Sequence, residues 1–436
     1  MTATLVLKTL ANGVRLLAIP LPHVQSASVG VFLRVGSRDE TPASNGISHV
    51  LEHMAFKGTA TRSVQAINMD AERLGADVNA FTSKDTTGYF MSGLGRHAGQ
   101  FLEMTADIVL NSTFPEAELK RELDVIRQEA IEYAEDPQES SSDLLDRALW
   151  GEHPMGMPVI GTVENIERFT RQDLVAHVQA HYVAEKTVVA AAGNFDVDAF
   201  LALAERLFAG MPRCADGSPV VAPEPAASVG SALGRPFSQV SQVFLNIAYP
   251  VAPSAADAMR DPRWRLAASV AAMLFGGGMS APLTDTVRER LGLAYTAEST
   301  SEHGDAWFNF IIHAITTPDK LDELLAATGT LLRDHASSID PLQLERARNQ
   351  LVVSRVRSSE RTYATMERAV EELFLRGAVT PVDDTIAMIE SITADEVRAV
   401  FAQMVKDKPA LAITGKAASA RTAKRLAGKL ATAAGA

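Results

Sequence analysis

At 436 residues the chain is too long for one hydrophobic core and suggests two or three domains, and 47% hydrophobic residues are enough to bury sizeable cores. A net charge of −12 argues against nucleic acid and anionic membranes as partners, while permitting basic peptides as substrates. There is no apolar run of about 18 residues to span a bilayer, and Cys214 is alone, which excludes an intramolecular disulfide and a cysteine metal cluster.

In chain order, Met1-Thr2-Ala3-Thr4-Leu5 shows no basic segment leading into an apolar block, so the expected compartment is cytoplasmic, or periplasmic if a leader has been removed. Strand-like segments near 4–9, 14–20 and 26–35 precede helices near 46–57 and 63–74, the second bounded by Ser63 as cap and Gly75 as stop. A strand pair near 77–82 and 86–92 follows, then helices near 97–111 and 115–135 or beyond, a short helix near 163, another near 171–182, and a strand near 186–193. The second half repeats this order. A strand from Val240 to Tyr249 leads to helices near 263–275 and 280–291, a strand pair near 293–301 and 306–316, helices near 318–336, 341–376 and 393–405, and a strand near 409–414. Between the halves, Ala215 to Pro236 is rich in Pro, Ala, Gly and Ser and reads as a linker, which sets one domain over 1–214 and the other over 237–436. Hairpin-linked strands point to an α+β class with α/β layers: two homologous domains, each a largely antiparallel β-sheet packed with helices.

The run His49-Val50-Leu51-Glu52-His53 carries the chemistry. Two histidines at i,i+4 leave one helix face and reach one cation, and Glu52 sits close enough to take a proton from water at that cation. His-x-x-Glu-His is the inverted zinc-peptidase motif. With 10 His and 53 Asp plus Glu, chance placement gives roughly 0.03 occurrences. The bland alternative is a pair of solvent-facing histidines on an amphipathic helix. A catalytic zinc usually takes three protein ligands. A second helix opens at Pro115-Glu116, with Leu119, Leu123, Ile126, Ala130 and Tyr133 at helical spacing, and Glu122 and Glu129 project from nearly one line beside that stripe. Residue types alone leave these acids as the wet flank of a charged helix.

The stretch Gly46-Ile47-Ser48-His49-Val50-Leu51-Glu52-His53-Met54-Ala55-Phe56-Lys57-Gly58-Thr59 resembles the signature of the pitrilysin family, the mitochondrial processing peptidase-like zinc metallopeptidases, in their short-chain form. The resemblance extends from Leu10-Ala11-Asn12-Gly13-Val14-Arg15-Leu16 through Gly161-Thr162 to the helices near residue 400. It implies that Glu129 is the third zinc ligand after His49 and His53, with Glu122 supporting the ligand shell and Glu52 acting as the proton carrier. It also implies that the second half supplies an arginine and a tyrosine seven residues apart, Arg288 and Tyr295, to complete an active site whose zinc lies elsewhere in the assembly. Read as residues alone, this segment is an ordinary helix end stopped by Gly292. One departure stands: after Gly276-Gly277-Gly278-Met279-Ser280 many relatives continue Ser-Arg, and here Ala281-Pro282 follows.

The duplicate of the zinc helix, Ala267 to Phe275, contains no histidine or acid, so one Zn2+ per chain is expected. His177 and His181 also stand at i,i+4, but with no glutamate between them they read as structural, as does His153 in its loop. Asp77 to Ser83 alternates as a strand should. The resemblance implies that a substrate peptide pairs with it at Asn79, Ala80 and Phe81, against the alternative of a plain hairpin arm. The function implied is a zinc-dependent endopeptidase cleaving peptides or unfolded segments inside a dimeric clamshell chamber. Two others remain: a zinc-bearing subunit of a heterodimer whose partner brings the arginine and tyrosine, or a non-catalytic scaffold subunit.

Overall fold

In the computed structural model, residues 5–214, 227–251 and 261–435 are described. The elements in chain order are β1 (Val6–Thr9), β2 (Arg15–Pro20), β3 (Ser26–Leu33), α1 (Ile47–Ala55), α2 (Val64–Arg73), β4 (Asp77–Thr82), β5 (Thr87–Leu94), α3 (Ala98–Asn111), α4 (Glu116–Glu135), α5 (Pro137–Trp150), α6 (Val163–Ile166), α7 (Arg171–His181), β6 (Thr187–Gly193) and α8 (Val197–Phe208). There follow β7 (Ala232–Pro236), β8 (Val243–Pro250), α9 (Pro262–Gly276), a π-helical turn (Thr284–Arg290), β9 (Ala294–Gly304), β10 (Trp307–Thr316), α10 (Leu321–Ser337), α11 (Pro341–Ser359), α12 (Thr362–Arg376), α13 (Val382–Ser391), α14 (Ala394–Met404), β11 (Ala410–Gly415) and α15 (Ala420–Ala434). Of the expected linker, 215–226 lies outside the described residues, and Ala232–Pro236 is a strand.

The first sheet has the order β1-β2-β6-β3-β5-β4 and the second β7-β11-β8-β10-β9. Only β2/β6 and β7/β11 pair in parallel, so both sheets are largely antiparallel. Without β1, the two orders are the same path. The duplication read in the sequence is therefore a duplication of topology.

Two compact units form, and each has exchanged one helix relative to chain order. The first holds β1–β6 with α1–α3, most of α4, α6–α8 and α12; the second holds β7–β11 with α5, α9–α11 and α13–α15. The run Thr187-Val188-Val189-Ala190-Ala191-Ala192-Gly193 explains why the first sheet needs cover on both faces. Val189 and Ala191 pack with Phe101 of α3 and Phe200 of α8, while Val188, Ala190 and Ala192 meet Met366, Ala369, Val370 and Leu373 of α12. A strand buried on both faces reads as a continuous apolar run. In the second unit, Leu145, Ala148 and Leu149 of α5 cover Ala248, Ile311, Ala410 and Ala412.

The helix expected over 341–376 is two helices. Arg361 adopts φ −105 and ψ 124, outside the helical region, with no Gly or Pro to announce the break. The helix expected near 280–291 forms, starting at Pro282-Leu283 and continuing as a π-helix over Thr284–Arg290. Helices α8, α13 and α15 extend the read pattern, and α5 begins where Asp136 accepts hydrogen bonds from Gln138 N and Glu139 N ahead of Pro137. Among the described residues no helix is long and apolar enough to cross a membrane.

Candidate metal centre

Helix α1 starts under constraint. Its N-cap, Gly46, has φ 99 and no side chain to cap the first turn; a Cβ there would lie 2.8 Å from Gly161 Cα and from Ile160 O. Glu40, 2% exposed, does the capping from outside the helix. Its Oε2 accepts from Gly46 N at 2.9 Å and Asn45 Nδ2 at 3.0 Å, and its Oε1 accepts from Ser48 N at 2.9 Å. Burial pushes the Glu40 carboxyl above its ordinary range, and these donors pull against that rise. Glu40→Ala strands the Gly46 and Ser48 backbone N–H groups in the interior and takes one of the two hydrogen bonds of the Asn45 amide, which keeps Pro158 O. The expected cost is about 2–4 kcal/mol of stability, read as a lower urea or thermal midpoint.

Once started, α1 buries Ile47, Val50, Leu51 and Met54 against Leu119, Ile126 and Ala130 of α4 and Leu174 of α7. This fixes which side faces α4 and leaves His49, Glu52 and His53 half-buried beside Glu129. His49 Nε2 lies 4.0 Å and His53 Nε2 3.6 Å from Glu129 Oε2, and one ligand atom from each of the three residues falls within 4.8 Å of the others. Around a tetrahedral zinc, neighbouring ligand atoms sit about 3.3–3.5 Å apart. The donor set of two imidazoles and a carboxylate therefore fits zinc with small side-chain adjustment. Burial, reinforced by His53, pushes His49 down to about 4, so its imidazole is neutral and free to ligate at physiological pH.

Supporting contacts differ between the two histidines. His53 Nδ1 faces Glu122 Oε2 at 3.3 Å, and Lys57 Nζ holds the other oxygen of Glu122 at 2.7 Å. His49 Nδ1 is buried without a hydrogen-bond partner. Glu52 is held through Oε2, which accepts from the Thr82 hydroxyl at 2.7 Å. Burial raises the Glu52 carboxyl above its ordinary value and nearby Glu129 adds to this, while Thr82 and His53 oppose it. Glu40, Thr82 and Lys57 carry no signal in residue spacing that sets them apart, although Lys57 lies inside the signature stretch.

Thr82 ends β4, the terminal strand of the first sheet. Asn79, Ala80 and Phe81 pair with Phe90, Tyr89 and Gly88 of β5, and among the described residues no strand pairs with the other edge. In the second unit, the Arg288 guanidinium lies 5.8 Å from the centre of the Tyr295 ring, and Tyr295 is 75% exposed. Arg288 Nη1 also meets Met279 Sδ at 3.5 Å. The structure thus gathers His49, Glu52, His53, Glu122 and Glu129 in the first unit and pairs Arg288 with Tyr295 in the second. Among the described residues, no other group of three His, Cys, Asp or Glu converges as a metal site. The His177 and His181 rings lie 4.4 Å apart, tilted by 36°, with burial lowering His177 to about 3, and His153 accepts from Met155 N to cap a short turn.

A duplicated sheet fold with a zinc-type donor set made of the two histidines of an inverted His-x-x-Glu-His helix and a glutamate of a second helix has the make-up of a zinc metallopeptidase. Residues 15–163 match the family model described as Insulinase (Peptidase family M16), and residues 168–351 match that described as Peptidase M16 inactive domain. The chain is 32% identical over 409 residues to the "Uncharacterized zinc protease YmxG" of Bacillus subtilis (strain 168), covering 93% of this chain and 97% of that one. The chain belongs to peptidase family M16, the insulinase and pitrilysin-like zinc proteases. The fold is also that of the M16 inactive domain from Pseudomonas fluorescens, at a TM-score of 0.84 and 22% identity over 95% of this chain and 98% of that one. A protease from Helicobacter pylori matches at a TM-score of 0.82 and 20% identity, over 94% of this chain and 99% of that one.

Proposed function

We propose that the chain is a zinc endopeptidase, with one zinc per chain on His49, His53 and Glu129, that cleaves peptides or unfolded segments within a chamber enclosed by two chains. The observation that carries this reading is the convergence of those three donors within 4.8 Å, with the Glu52 carboxylate on the helix of the two histidines. Zinc, when bound, supplies Lewis acidity toward a water and the scissile carbonyl. Glu52 moves the proton. Thr82 occupies its Oε2, which leaves Oε1 to accept a proton from the attacking water and deliver it to the leaving amine. The raised affinity of the Glu52 carboxyl for a proton suits that exchange. Glu122 fixes His53 with Nδ1 toward itself, so that Nε2 points to Glu129.

The open edge of β4 runs past Asn79, Ala80 and Phe81, next to Thr82 and hence to Glu52, and suits an extended peptide that takes over the Ala80 N–H now held by Asn79 Oδ1 at 2.8 Å. A chain that must lie extended as an added strand is a short peptide or an unfolded segment. Arg288 and Tyr295, from the other chain of the dimer, orient the peptide or stabilise the developing oxyanion, a contribution of about 2.7–4 kcal/mol for a well-placed donor. Carrying both residue sets on one chain favours a homodimer over a mixed pair.

The test is metal content joined to turnover. The purified chain is expected to hold one zinc, to cleave unstructured peptides, to lose cleavage under a chelator and to regain it with added zinc. Glu129→Gln is expected to lose zinc and cleavage together. Cleavage that persists after complete removal of zinc overturns the reading.

A further inference from the structure

We infer that Lys57 is a positioning residue for the zinc site, acting through Glu122; the inference rests on the function proposed above. Lys57 stands four residues after His53, just past the end of α1, and reaches across to Glu122 on α4. The Glu122 side chain is 11% exposed, and its two oxygens are divided between two cationic or donor partners: Oε1 meets Lys57 Nζ at 2.7 Å and Oε2 faces His53 Nδ1 at 3.3 Å. A carboxylate with one partner is free to pivot about its last torsion. With Oε1 anchored by the ammonium, Oε2 is confined to the His53 ring, which keeps that imidazole turned with Nε2 toward Glu129 at 3.6 Å. His49 gains no such help, because its Nδ1 is buried without a hydrogen-bond partner. The orientation of one imidazole therefore depends on the chain Lys57, Glu122, His53.

Coulomb's law and the orienting role predict opposite signs. Removing a positive charge near a divalent cation, by repulsion alone, tightens zinc binding. Releasing Glu122 and then His53 loosens it, since partners behind a ligand histidine typically govern affinity by 10–100-fold. The structure assigns the second outcome, because Lys57 touches the carboxylate that touches the ligand.

The experiment measures zinc affinity of the full chain by competition with a chromogenic chelator, with no substrate present. Lys57→Met keeps the unbranched stem of the side chain, one atom shorter, and removes the ammonium. Its zinc affinity is expected to fall by about tenfold or more, in a metal-free chain that still melts cooperatively though at a lower temperature, since Glu122 loses its ion-pair partner. Lys57→Arg, which keeps the charge and N–H donors, is expected to restore most of the loss. In the background of Glu122→Gln, Lys57→Met is expected to cost little further, because the two act in series. Unchanged or tighter zinc binding in Lys57→Met overturns the inference, as does a loss fully additive with Glu122→Gln. A wild-type chain that binds no zinc removes the proposed function along with it, whereas a tight wild-type site indifferent to Lys57 removes this inference alone.

Discussion

Glu52→Gln is expected to keep zinc and to lose peptide hydrolysis by about 10²–10⁴-fold. Glu52 is not among the converging ligand atoms, so its amide leaves the donor set of His49, His53 and Glu129 intact. Thr82 still has a carbonyl oxygen to donate to, and the side chain keeps its shape. An amide, however, does not accept and release a proton near neutral pH. Zinc per chain by metal analysis and kcat with an unstructured peptide give the two readings. Wild-type turnover, in a preparation shown to be free of other proteases, excludes Glu52 from proton transfer. Loss of zinc in the same variant instead makes it part of the metal's own support.

The second large effect is a recovery. Glu52→Gln and Tyr295→Phe are each expected to be nearly inactive alone, the second because removal of one oxyanion donor costs about 10²–10³ in kcat. Mixed and allowed to exchange subunits, they are expected to regain activity. If two chains share their sites, each mixed dimer has one site with both defects and one with neither, so it recovers about half the wild-type rate. Tyr295 is 75% exposed and its ring is engaged by Arg288, so Tyr295→Phe changes a hydroxyl without disturbing a core. Mixed dimers confirmed by mass that remain silent indicate a site built within one chain, or a partner of different sequence.

Local chemistry was the legible part of this chain. The helix read near 46–57 and the strand read from the alternation of Asp77 to Ser83 form as α1 and β4, because each element buries a face that its own periodicity defines, in α1 that of Val50, Leu51 and Met54. Glu129 is a different case. Its approach to His53 arises from the packing of α1 on α4 through Val50, Leu51 and Ile126, a tertiary contact that no short window encodes, so spacing alone left it on a wet helix flank. Only the resemblance singled it out. Glu40 was invisible for a similar reason: it caps α1 from a preceding turn, six residues from Gly46 N and eight from Ser48 N, outside the usual capping pattern. The division between α11 and α12 was missed because polar residues that suit a helix run through Ser358, Ser359 and Glu360, and the break is set by where α12 must pack. Helix α15 carries a stripe of Ala423, Leu426 and Leu430 behind a Ser419 cap, a pattern legible in the residues themselves.

The helix exchange has a consequence for the order in which the protein is made. On a ribosome adding about 5–20 residues per second, the first sheet has all its strands once Gly193 emerges, but its cover helix α12 is complete only at Arg376. For the intervening 183 residues, roughly ten to forty seconds, the face bearing Leu17, Phe32, Val188, Ala190 and Ala192 waits without Met366, Val370 and Leu373. A nascent chain in that interval presents a half-finished apolar surface, which is the condition under which chaperones are recruited. A gene cut between the halves would make the wait permanent, since each fragment would hold the lid that belongs to the other.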